Sequence, residues 1–511
     1  MGRVLSNSIG LAYAEETTVG EQATEGWKAL EPNTISTFGA EITTVARNPI
    51  SRNRQRRKGA VTDIDSSVEF ESDITLDAFR DFAQGFVFAN AINADVSDIR
   101  VAAVTGSSYT VSGLGSVAQG KLRANALIYA SGFTDSGNNG LKPITGTTSA
   151  SAISASGLTA RTNQTGTVSF CGYRNSGGGG ITWDEDSEQA TVTGTGLRAI
   201  LMELGVVAGQ FLHFGSFTPA NAPQNGLSTN TNVYGWARVV SIPSAGNSIV
   251  LDKVDDALQA TASQSGNLDV LFGEFIRNVP TTEDEYKEFS YTIENTYPGL
   301  GDGGSNPDET AYQYALGNYC NTLALSLPLS DKATMTVGFI GTDTGNPVIT
   351  QADGADEAAE PIRTSPYNTT SDLGRLRVAG ADGTGISTDF KSITLNLTNN
   401  VSPEKVLASL GAAYVNAGNF EVSVEAQAVF TNPLVIDKIR ANETVSMDFI
   451  MTNDNGAIVL DFPSMTLGGG GREFPVNESV LINMTGEAFQ DATLNTSIGI
   501  SILPYPIPTQ D

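Results

Sequence analysis

Val61-Thr62-Asp63-Ile64-Asp65-Ser66-Ser67-Val68-Glu69-Phe70-Glu71-Ser72-Asp73-Ile74 carries acid at Asp63, Asp65, Glu69, Glu71 and Asp73, while Ile64, Val68, Phe70 and Ile74 fall on even positions. Successive side chains of a strand point to opposite faces, so the stretch predicts one long β-strand with an apolar face and a carboxylate face. Five like charges along one strand repel one another, and such a row calls for a use. Directly before it stands Arg52-Asn53-Arg54-Gln55-Arg56-Arg57-Lys58, so charge changes sign within a few residues.

Downstream, apolar residues at 76, 79, 82, 83, 86 and 87 recur at helical spacing, with Thr75 as N-cap and Asp77 in the first turn. A related order returns near the end. Phe420 to Thr431 alternates, Pro433 to Arg440 predicts a short helix with Pro at its first position, and Thr444 to Thr452 predicts a strand. Asn453-Asp454-Asn455-Gly456 then turns the chain into a returning strand, Ala457 to Leu467, because Asn-Gly between alternating runs marks a hairpin.

Composition bounds what such a protein does. The 511 residues are 40% hydrophobic with 54 Gly, which fits a folded, mainly β chain of two or more domains. A net charge of -27 argues against gripping nucleic acid by its phosphates and against anionic membranes. Cys171 and Cys320 are too few and too far apart for a disulfide framework or a zinc motif, and read as reduced core thiols. The N-terminal residues lack an apolar stretch of signal-peptide length, and no window approaches the roughly 18 apolar residues of a membrane span. The expectation is a protein made and used without export.

Between Asp98 and Glu274 the character changes, with nine Lys and Arg against twelve Asp and Glu, only -3 of the total charge. Leu127 to Thr134 leading to Asn138-Asn139-Gly140-Leu141 resembles Leu212 to Thr218 leading to Gln224-Asn225-Gly226-Leu227. This predicts two related β-modules, 98–180 and 181–274, inserted into one acidic parent domain made of 1–97 and 275–511. Pro298 to Asp308 and Thr342 to Thr388 read as long surface loops.

Catalytic chemistry finds little to stand on. His213 is the single histidine, set among apolar neighbours, so no Ser-His-Asp or histidine-rich metal site can be assembled. The runs Gly177–Gly180 and Gly468–Gly471 lack the Lys-Ser/Thr and the strand-to-helix setting of a phosphate loop. Asp184-Glu185-Asp186 with Glu188 lacks the ligand offsets of an EF-hand. Neither an enzyme nor a cofactor is expected. The basic run admits three readings: a solvated loop, a nucleic-acid contact, or an arm reaching an acidic surface on another copy. Overall charge and the absence of interleaved aromatics favour the arm, with Arg52, Arg54, Arg56, Arg57 and Lys58 as its contact residues.

Arg47-Asn48-Pro49-Ile50, the run Arg54 to Gly59, the acidic strand and the helix after it together resemble the major tail tube proteins of long, non-contractile-tailed phages. Tyr286 to Tyr297, Tyr312 to Leu327, Met335 to Gly341, Asn399-Asn400, Gly418 to Val422, Val429 to Asn432 and the hairpin ending in Phe462-Pro463 are similar in their order. The resemblance implies a mainly β fold: a sandwich or barrel-type tail tube domain with a flanking α-helix, here with two small inserted β-modules. It implies homo-hexameric rings stacked into a hollow tube in the virion, assembled in the host cytoplasm with a tape-measure protein and a tail terminator. Viral DNA would pass through without specific binding, past a bore lined by Asp63, Asp65, Glu69, Glu71 and Asp73, and no membrane insertion is implied. A surface adhesin or carbohydrate-binding β protein is the competing class, with Trp183 and Trp236 as its binding face.

Overall fold

The computed structural model describes residues 4–50, 52, 55–162, 164–217, 223–224, 235–259, 266–301, 306, 309–380 and 389–507. The acid-faced segment is a strand, Arg57–Asp73, so the end of the basic run is already strand. From Ser66 onward it alternates as its sequence requires, with Ser66, Val68, Phe70 and Ser72 buried and the residues between them only partly so. The helix Leu76–Val87 follows, and Thr75 caps it by accepting a hydrogen bond from the Ala78 amide at 3.4 Å. Leu76, Phe79, Phe82 and Phe86 all face the core. Gly85 sits mid-helix because a Cβ there would meet the Tyr291 hydroxyl at 2.6 Å and the Cys320 sulfur at 2.9 Å.

The parent domain is built on a sandwich of two antiparallel sheets joined by shared strands, extended by a smaller sheet in which Lys28–Leu30, Gly10–Glu15, Tyr291–Tyr297 and the first half of Ala311–Pro328 pair in turn. The first sheet runs, edge to edge, through Thr34–Arg47, Arg57–Asp73, Thr334–Gly341, Ala311–Pro328, Asp389–Thr398, Glu421–Val429, Leu481–Ala488 and the second half of Gly456–Glu473. The first half of Gly456–Glu473 belongs to the second sheet, beside Thr444–Asn453, Leu373–Gly380, Gly499–Leu503 and Glu274–Arg277. Its hairpin with Thr444–Asn453 closes where Asn453 accepts from the Asn455 amide at 2.8 Å. Gly456 is required there, with φ at +152° and a Cβ position only 2.2 Å from the Leu503 carbonyl oxygen. Both sheets and the helix share one core, in which Phe70, Phe82 and Phe339 interlock with ring centroids 5.6 to 6.1 Å apart. Burial of each such ring stabilises the fold by roughly 1.5–3 kcal/mol. Among the described residues no helix is long and apolar enough to cross a membrane.

Residues 96–272 hold a core of their own, beneath a nine-stranded sheet and a smaller three-stranded one. Pairing repeats within it. In the first half Ser108–Thr110 pairs with Ala152–Ser154, Ala126–Ser131 pairs with Gly140–Pro143, and Ala126–Ser131 also pairs with Gly166–Asp184. In the second half Gln189–Gly194 pairs with Ser248–Asp252, Phe211–Phe214 pairs with Gly235–Ser241, and Phe211–Phe214 also pairs with Gly266–Leu271. Each half places a short helix, Ser116–Lys121 or Leu197–Glu203, before its central strand. The boundary drawn at 180 and 181 falls inside Gly166–Asp184, which pairs with both halves and fuses them into one sheet. The words Asn225-Gly226-Leu227 lie outside the described residues.

The insert docks on the outer side of the second sheet. Leu127, Cys171, Phe211, Trp236 and Leu271 of the insert pack against Ile450, Ala457, Val459, Leu503 and Tyr505 of the parent. Ion pairs reinforce this seam: Asp461 takes Arg238 at 2.8 Å and Lys253 at 2.6 Å, while Arg375 reaches Asp448 at 2.8 Å and Asp255 at 2.6 Å. Where the chain enters and leaves the insert, Arg80 of the helix binds Asp98 at 2.6 Å and Glu274, and Arg363 adds a second guanidinium to Asp98. Burial alone would raise the Asp98 carboxyl, but Arg363 and Arg80 hold it well below the usual carboxylate range. The segment from Thr342 is anchored rather than a free surface loop. Arg363 binds Asp77, Tyr367 is fully buried, and Leu373–Gly380 is a strand paired with Thr444–Asn453.

Candidate functional site

The first sheet turns one face to the core and the other to solvent, and the solvent face is uniform. One row across it reads Thr466, Glu487, Ser423, Asn396, Ala324, Thr336, Glu71 and Thr34, each opposite the next. The row on one side reads Gly468, Thr485, Glu425, Thr394, Ser326, Thr334 and Asp73, and the row on the other reads Glu421, Thr398, Thr322, Gly338, Glu69 and Thr37. None of these positions holds Lys, Arg or a large apolar residue. Core residues alternate with them along every strand, among them Val68, Phe70, Val337, Leu325, Leu395, Val424 and Ile482. Glu421, Glu425, Glu487 and Glu473 thus share a face with the acidic strand, and the alternation of Phe420 to Thr431 held the signal for the first two.

The five carboxylates of the strand lie on this one side, but their surroundings differ. Glu69 and Glu71 sit half-buried amid Thr and Gly, one strand in from the edge of the sheet. Asp63 and Asp65 both bind Lys405 at 2.6 Å, and Asp73 binds Lys332 at 2.7 Å. Hydrogen bonding from Lys405 lowers the Asp63 carboxyl below its ordinary range, and the bond to Asp73 raises the Lys332 ammonium. Two lysines therefore partly offset the row at its ends and leave its centre bare. Neither was legible beforehand, because Lys405 lies far along the chain from its partners.

Both outer edges of this face are open. Among the described residues Thr34–Arg47 pairs only with Arg57–Asp73, and the stretch Leu467–Glu473 pairs only with Leu481–Ala488. Thr334–Gly341 ends opposite Ser66, so Glu41–Arg47 and Arg57–Asp65 continue past it as a two-stranded arm. Arg52, Arg56, Arg57 and Lys58 are exposed on the arm, which also shows Ile42 and Val45 to solvent, and Ile50 at its tip is wholly exposed. Arg54 lies outside the described residues.

The chemistry-bearing residues elsewhere are packed away. His213 is buried with its ring 4.9 Å from Trp236, and burial pushes its imidazole down to about 3. Trp236 is itself buried, whereas Trp183 is half-buried. Cys171 and Cys320 are free thiols, both fully buried, and burial raises both. Among the described residues no group of three or more His, Cys, Asp and Glu is placed to hold a metal ion.

No curated protein matches the chain. The phage tail tube protein family matches residues 6–488. With its two-sheet β architecture, its polar sheet face and a match across nearly its whole length, the chain belongs to the phage tail tube protein family.

Proposed function

We propose that copies of this chain close head-to-tail into six-membered rings, stacked into a hollow tail tube whose bore is lined by the polar face of the first sheet. Membership of the family implies a structural role, self-assembly into a tube and a place in the virion tail. The observation that carries the finer reading is an eight-stranded face without a cation at its centre, bounded by two strands with unpaired edges. An open edge is a liability in a monomer, and pairing one edge with the opposite edge of a neighbour removes both around a closed ring.

A bore of this composition conducts DNA because it does not hold it. Phosphate contacts sum steeply, so a wall of Lys and Arg would trap the duplex, whereas Glu69 and Glu71 among Thr, Ser and Asn offer no counter-charge. Salt screens the repulsion over roughly 8–10 Å, which leaves a non-adhesive wall rather than a barrier. Asp63 and Asp65 extend the lining toward one end, moderated by Lys405. The insert lies behind the second sheet, opposite the polar face, which suits an exterior position for its two related modules. The basic arm reaches a neighbouring subunit.

Electron microscopy of the purified protein tests the tube: stacked rings with an axial hole are expected, and monodisperse monomers in particle extracts would sink it. The lining is tested by Glu69→Lys with Glu71→Lys. Tubes should form normally while DNA ejection slows, most at low salt, and unchanged ejection kinetics would remove these carboxylates from the bore.

A further inference from the structure

The first sheet carries a projection at each end, on opposite edges. The basic arm leaves the end at which Gly341 faces Ser66. The hairpin joining Gly456–Glu473 to Leu481–Ala488 turns at the other end, where Glu473 faces Leu481, beyond the row that contains Asp73. The tip of this hairpin, Glu473-Phe474-Pro475-Val476-Asn477-Glu478, holds no Lys or Arg, and Phe474 and Val476 are 73% and 85% exposed. The Glu473 carboxylate accepts from the neutral amides of Asn483 at 2.7 Å and Gln427 at 3.5 Å, while the neighbouring Arg472 lays its guanidinium over the Phe430 ring, 4.9 Å from its centroid.

The arm is the complement of this tip in both respects. Its exposed cations flank Ile50, which is 108% exposed. Apolar side chains held in water beside charges of one sign mark a protein contact. The two projections sit at opposite ends and edges of one sheet, so a chain cannot satisfy its own arm with its own tip. Leu329 is also exposed at the tip's end, but Asp73 at that end is already taken by Lys332 at 2.7 Å.

We infer that the tip Glu473–Glu478 is the seat for the arm of the next copy along the strand direction. Phe474 and Val476 pack on Ile50, and Glu473 and Glu478 face the guanidinium groups of Arg56 and Arg57. The contact is heterologous, so it propagates copy after copy rather than closing into a dimer. This rests on the tube reading and names the partner surface of its arm.

Two experiments on the full chain test it. Ile50→Cys combined with Val476→Cys places a thiol on each projection, against a background of two fully buried native thiols. Mild oxidation of assembled tubes should give a ladder of covalent multimers extending beyond the dimer, with each single variant remaining monomeric. A band that stops at the dimer, or no ladder from tubes of normal length, overturns the seat. Glu473→Arg with Glu478→Arg should reduce polymerised mass at least tenfold, and adding Arg56→Glu with Arg57→Glu to the same chain should restore it. Normal tubes from the reversed tip alone refute the seat while leaving the tube intact, whereas wild-type protein that forms no tubes refutes the tube itself.

Discussion

His213 and Gly85 show how a buried position dictates its residue. His213 stays neutral in the fold down to about pH 3, whereas an unfolded histidine protonates near 6.5. The unfolded chain therefore binds the extra proton first, so the contribution of His213 is fully present above about pH 6.5 and is lost as pH falls toward 3. His213→Gln should flatten the fall of the melting temperature between pH 7 and pH 4, by on the order of a few kcal/mol in the underlying stability. Equal slopes for wild type and variant would assign acid sensitivity to the carboxylates alone. Gly85→Ala ordinarily favours a helix, but here the added methyl meets Tyr291 and Cys320. It should destabilise by about 1–3 kcal/mol, read as a lower denaturant midpoint at unchanged slope. The burial of His213 was legible from its apolar neighbours. The need for Gly85 was not, because both atoms it spares lie more than two hundred residues away in sequence.

Among elements, those governed by local pattern follow the sequence closely. Leu76–Val87 begins after Thr75 as its spacing and cap require, and Asn453 to Gly456 turns one strand into the next. Leu373–Gly380 was hidden by the Gly, Asp and Thr around it, although Leu376 and Val378 alternate with Arg375 and Arg377. The boundary between the inserted halves was placed inside one strand because a repeat shows where units resemble each other, not where their sheets merge. The ion pairs at the seam join positions far apart in sequence, and no periodicity announces them. Asp461 is the clearest case: burial would raise its carboxyl, but Arg238 and Lys253 hold it lowered. Asp461→Ala leaves Arg238 with Asp252 and Lys253 with Asp448 at 3.3 Å, and should cost roughly 1–3 kcal/mol, the penalty of buried charges that each lose one partner. Hydrogen exchange should quicken at Thr444–Asn453 and Gly235–Ser241 together, and exchange confined to one side would show that the seam does not couple them.

For the whole molecule, the carboxylate face of one strand was legible, but not that seven further strands extend it, since that depends on pairing between distant segments. The same holds for the open edges. Function of the tube kind resides in surfaces that a single copy leaves incomplete, and such surfaces leave only indirect marks in the chain: a net charge of -27, an exposed Ile50 and an exposed Phe474 and Val476 at a hairpin tip.

The contiguity of residues 96–272 also bears on the order in which the molecule forms. Their core closes entirely within one stretch of chain, whereas the parent core requires Leu11 and Val68 to meet Ile458 and Ile500 across that stretch. Closing distant contacts costs loop entropy before they repay it, so the insert should fold as a unit first and the parent sheets afterwards. Pulse-labelled hydrogen exchange during refolding should find amides of Gly166–Asp184 protected before those of Thr334–Gly341, and the reverse order would contradict this. The sheet edges proposed to join copies are then among the last features to be completed. In the proposed tube a chain still being synthesised has no completed sheet to offer, so polymerisation waits, by topology alone, until each subunit is whole.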